Sequence, residues 1–208
     1  MRIIEDGLSI KKYPMCCTTH RIIDAALDIA ARPGFAAADV RRIEVALGAR
    51  QAAMAGHRWP RDPLEAKYSV EFAVPGALAA GAAGFAQLTL DFVASPAVVR
   101  LMEATHIALR HETDRDDPVF TPADRVMARM ADGTVIDSGE VSHAHGHARL
   151  PVSPAEARRK FIDCARHGGC ADVDALHDLL DGFGAIADLR SLAIQAAPPG
   201  GHCLSASP

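Results

Sequence analysis

The stretch ADRVMARMADGTVIDSGEV, residues 123–141, carries the strongest strand signal in the chain. Two alternating runs, 123–130 and 134–141, flank Asp132-Gly133, a dipeptide suited to the tight turn of a β-hairpin. Working outward, Arg42–Leu47 (RIEVAL) alternates in the same way and is read as a further strand. Before it, Ile23, Ala26, Leu27 and Ala30 recur at helical spacing. They predict a helix from His20 to Ala31, capped by Thr18 or Thr19 and ended by Pro33-Gly34. A loop is expected from Gly48 to Pro63, then a helix over 64–80 that Pro75-Gly76 should kink or shorten. A short helix opens at Ser95-Pro96. From Ser153 the pattern becomes helical only, with Ser153-Pro154-Ala155-Glu156 supplying a cap and three helices near 154–167, 171–182 and 185–196. The expected fold class is α+β: a two-layer helix/sheet sandwich over 1–150, a helical segment over 151–197, and a disordered tail over 198–208.

Composition narrows the function. With 22 basic against 26 acidic side chains the net charge is −4, and no Lys/Arg cluster is interleaved with aromatics, so a nucleic-acid binder is not expected. MRIIEDG lacks the pattern of a signal peptide, and the low-charge run 72–90 is too rich in proline, glycine and alanine for a bilayer span. A cytoplasmic protein with no membrane partner is expected. The five cysteines include no CxxC pair, which favours free thiols. Dinucleotide, P-loop, serine-hydrolase and zincin motifs are absent.

Five segments, in order, resemble the MmgE/PrpD family: IKKYPMCCTTHRIIDAALDI (10–29), PLEAKYSVEFAV (63–74), SPAVVRLMEATHI (95–107), MADGTVIDSGEV (130–141) and GHARLPVSPAEARRKFIDCA (146–165). The resemblance runs from Ile10 to about Leu192. Family members include 2-methylcitrate dehydratase, cis-aconitate decarboxylase and iminodisuccinate epimerase. They use no cofactor and remove a proton next to a carboxylate of a small di- or tricarboxylate. The resemblance implies a smaller α+β domain, with the last helices belonging to a large all-helical domain. The N-terminal helical half of that domain, with its proton-transfer residues, has no counterpart in this chain. It implies no cofactor, a small polycarboxylate as partner, and either a homo-oligomer or a helical-domain partner. The chain alone is expected to be inactive.

The same resemblance assigns Lys11 to the substrate carboxylates, where an ammonium would also stabilise an enolate-like intermediate. Lys12 stands where the family has proline, so a choice between two lysines arises. His20, opening the helix, is a second catalytic candidate, kept neutral by the helix N-terminus; a packing histidine is the alternative. Cys16 falls where decarboxylase-like members carry a histidine; it is a substrate-binding candidate or a small buried filler. Tyr13 and Pro14 are read as shaping the backbone, and Arg158, Arg159 and Lys160 as a solvated helix face. His143, His145 and His147 alternate, so an extended strand would aim all three to one side, an arrangement that zinc could use. The family resemblance argues against that site, and no metal is expected. The preferred function is the C-terminal part of an MmgE/PrpD-type lyase or isomerase. The rivals are an interaction or oligomerisation module and a metal-binding protein using the three histidines.

Overall fold

The computed structural model describes residues 7–185, 188 and 190. It divides between Pro151 and Val152 into two units. In the first, a four-stranded mixed sheet has the order β2-β1-β3-β4, with β1 Val40–Gly48, β2 Thr105–Arg110, β3 Arg125–Met130 and β4 Val135–Asp137. β1 runs parallel to β2 and antiparallel to β3, which turns back into β4. The period of two puts Ile43, Val45 and Leu47 of β1 and Val126, Ala128 and Met130 of β3 on the buried face. Arg42, Glu44, Met127, Arg129 and Val135 share the other. The fold is α+β, as the residue patterns led us to expect.

Helices cover the buried face. α1 (His20–Ala30), α2 (Ala49–Met54), α3 (Pro63–Ala66), α4 (Val70–Ala80), α5 (Leu90–Val93) and α6 (Pro96–Glu103) follow in order. α1 packs on α4 and β3, and α6 on α4 and β1. Ile22, Ile23, Ile29, Phe72 and Leu101 are fully buried together with Ile43 and Leu47. Each is worth about 1.5–3 kcal/mol in transfer from water.

Several local expectations change. Residues 49–54 form α2 rather than loop, and Thr105–Arg110 is a strand that local patterning did not reveal. The 64–80 helix breaks at residues 67–69, not at Pro75, because Ser69 caps a new start by accepting the Phe72 N–H at 3.0 Å. Gly76 lets the Phe72 ring lie where a Cβ would meet it at 3.2 Å. β4 is shorter than expected: Ser138 bonds Val126 through both its N–H and its Oγ, and pairing resumes only at the Asp124–Val141 bridge. The turn itself is as read, with Gly133 at φ 87° and the Thr134 N–H held by Asp132.

In the second unit, α7 (Pro154–His167) opens on the expected capping box, Ser153 Oγ accepting from Glu156 N–H and Glu156 from Ser153 N–H. α8 (Val173–Asp181) is capped by Asp172. Arg158–Asp174 at 2.6 Å and the edge-on Phe161–His177 pair join the two helices. The third expected helix, 185–196, and the tail fall outside the described residues except at 185, 188 and 190. No described helix is long and apolar enough to cross a membrane.

Candidate functional site

The residues leading into α1 form a fastened strap rather than a loose arm. The Ile10 N–H donates to Gly146 O at 2.7 Å, the Ala148 N–H to Ser9 Oγ at 3.2 Å, and the Cys16 N–H to Lys67 O at 2.9 Å. Lys11, one residue past the first of these bonds, is exposed and has no hydrogen bond or ion pair among the described residues. Lys12 Nζ lies 5.6 Å from the centre of the Tyr13 ring, within cation–π reach.

Behind the strap, one buried carboxylate gathers three groups. Asp24, on the second turn of α1, accepts the Tyr13 hydroxyl at 2.5 Å through Oδ1 and the His145 main-chain N–H at 2.7 Å through Oδ2. The His145 ring reaches the same carboxylate, with Nδ1 3.5 Å from Oδ1. Asp24 is thus satisfied without water, as a buried acid must be. The His145 side chain stays 44% exposed.

His20 sits beside this group but faces inward. It is 4% exposed, its Nε2 is 3.4 Å from Met15 O, and its ring meets Tyr13 edge-on at 5.2 Å. Burial, chiefly, with Lys11 adding to it, pulls its pKa down to about 4, so the ring is neutral. The helix start does not use the threonines as expected. Thr19 Oγ1 donates to Cys16 O, and Thr18 Oγ1 lies 3.1 Å from Cys16 Sγ. Cys16 is buried at 7% exposure, a filler of this turn.

The three alternating histidines do not act as one set. The segment bends at Gly146, φ 96°, instead of running extended. His143 and His147 rings meet at 4.6 Å, while His145 turns to Asp24. His147 Nδ1 accepts the Arg149 N–H at 3.1 Å, so that nitrogen is already engaged. Among the described residues no group of three or more His, Cys, Asp or Glu side chains is placed to hold a metal ion. The three rings are therefore not aimed to one side, as an extended strand would have aimed them.

A model of the MmgE/PrpD C-terminal domain matches residues 13–178. The chain belongs to the MmgE/PrpD family. Against curated proteins, no match is found. The matched segment takes in the Tyr13–Asp24–His145 group, His20 and Cys16, and begins just after Lys11 and Lys12.

Within this MmgE/PrpD domain, a second buried polar group went unread in the sequence. Gln51 Oε1 accepts the N–H groups of Gly48 and Thr121, while its Nε2 donates to Asp124 Oδ2 at 2.9 Å and to Thr18 O. A Cβ at Gly48 would stand 2.6 Å from Gln51 Oε1 and 3.2 Å from the Thr121 N, so a side chain there would have to displace the Gln51 amide from its bonds. Arg21, stacked on Phe120, donates to Thr121 O at 2.7 Å. Asp124 is fully buried, and burial pushes its pKa up to about 7. This group ties the start of α1 to the ends of β1 and β3. Its signal in the sequence, polar residues at otherwise apolar positions, has no local pattern.

Proposed function

We propose that this chain is the C-terminal part of an MmgE/PrpD-type lyase or isomerase. Its substrate is a small di- or tricarboxylate that loses a proton beside a carboxylate, and Lys11 holds that carboxylate. The observation that carries the reading is the placement of Lys11: an exposed ammonium without a partner among the described residues, on backbone fastened at Ile10 and Cys16. The fastened backbone fixes where the ammonium starts, and such a compact charge pairs with a carboxylate and stabilises the enolate formed from it. His20 then serves as a neutral packing group that shapes the strap, and Cys16 supports it from beneath. Lys12 remains the neighbouring cation on the Tyr13 ring.

The 208-residue chain is incubated with 2-methylcitrate, cis-aconitate and iminodisuccinate, and binding and turnover are measured separately. Turnover is expected to need an N-terminal helical half, so robust activity of this chain alone overturns that dependence. Lys11→Ala should weaken polycarboxylate binding tenfold or more, the scale of one charged hydrogen bond of about 1.5 kcal/mol. Unchanged affinity overturns the role of Lys11. A second reading, an interaction or oligomerisation module, draws on exposed Trp59, Leu64 and Tyr68. Light scattering showing a monomer at every concentration counts against self-association.

A further inference from the structure

We infer that His145 is a proton-transfer group of this enzyme, with Asp24 and Tyr13 as its positioning residues; the inference rests on the carboxylate reading of Lys11. The histidines of the first unit differ in kind. His20 is buried, and His143 and His147 lie against each other. His145 joins a half-exposed ring to a buried carboxylate. Its main-chain N–H is anchored to Asp24 Oδ2 at 2.7 Å, which fixes the Cα, and Nδ1 lies 3.5 Å from Oδ1 of the same group. Tyr13 donates its hydroxyl to that same oxygen. At 3.5 Å, Nδ1 needs to move only a few tenths of an ångström to take up a hydrogen bond with Oδ1.

Placement relative to Lys11 follows from one bond. Gly146 comes directly after His145, and its carbonyl accepts the Ile10 N–H, so His145 and Lys11 flank the same hydrogen bond. Nε2 of His145 has no hydrogen-bond partner among the described residues. A carboxylate at Nδ1 favours the proton there and leaves the Nε2 lone pair as the base. Nε2 takes the proton from the carbon beside the bound carboxylate. The C–H electron pair moves into an enediolate whose oxygens face the Lys11 ammonium. Asp24 offsets the imidazolium charge, and the reverse step returns the proton to carbon. Elimination and epimerisation both need an acid and a base, so this group complements one supplied by the helical half.

The test reads the tautomer directly. Long-range 15N–1H spectra of the full chain are recorded well above the ordinary histidine pKa of about 6.5. The expected result is Nδ1–H at His145, moving to Nε2–H in Asp24→Asn. Nε2–H in the unaltered chain overturns the proposal without reference to any variant's folding. Tricarballylate is then added. A shift of the His145 Nε2 resonance that is lost in Lys11→Ala supports both readings. Nδ1–H with no response to tricarballylate overturns the carboxylate reading and with it the role of His145 toward such a substrate. Nε2–H with Lys11-dependent binding overturns the His145 inference alone.

Discussion

Replacing Asp124 by Asn isolates the cost of burying an acid at the junction of β1, β3 and α1. Asp124 has no exposed surface and receives one hydrogen bond from Gln51, and its Oδ1 has no partner among the described residues. Burial outweighs that bond and the nearby Arg21 and Arg110, while Glu140 pushes the same way as burial, so the carboxyl titrates near 7 instead of 3.8. A displacement of about three pH units corresponds to about 4 kcal/mol. Because the folded value is raised, the stabilising contribution is complete below the unfolded value and is lost as pH rises toward 7. Between those values the unfolded chain releases the proton that the folded chain keeps. Above about pH 7 the folded chain holds an ionised, poorly solvated carboxylate. Asn keeps the shape and accepts from Gln51 but cannot ionise. Urea unfolding at pH 4, 6 and 8 should therefore show near-equal stability at the lowest pH. At the highest, the variant should be more stable, by up to about 4 kcal/mol. A variant that follows the wild-type pH profile in parallel, or is weaker at high pH, refutes this account of Asp124.

Two further outcomes test the core and the second unit. Phe72→Ala empties a fully buried site where the ring packs edge-on to Phe92 at 6.3 Å and lies against Gly76, and should cost about 3–5 kcal/mol in urea unfolding. Ser153→Ala removes one half of the α7 capping box and should cost about 1 kcal/mol, seen as faster hydrogen exchange in the first turn of α7 with the sheet amides of the first unit unchanged.

The elements legible beforehand were those whose energies are local. Asp132-Gly133 specifies its own turn, Ser153 and Glu156 cap each other across three residues, and the alternation of β1 needs no knowledge of its partner. β2 was not legible, because THIALR is short and becomes a strand by lying parallel to β1, Thr105 opposite Ile43. Pro75 misled for the related reason that Val70–Leu78 is buried throughout, and packing sustains a helix that local propensity would interrupt.

The candidate site divides along the same line. Lys11 and the motif around His20 were readable as a contiguous segment, the first of the five from which the family resemblance followed. That His20 turns inward, that His145 parts from His143 and His147, and that Asp24 meets a histidine 121 positions away were decided only in three dimensions. So was the link between Gln51 and Asp124, 73 positions apart. Local sequence determined the turns, the caps and the hydrophobic period, because those free energies are settled within a few residues. Tertiary structure alone decided which polar groups share a desolvated space, because that depends on the surfaces brought together by the closed core.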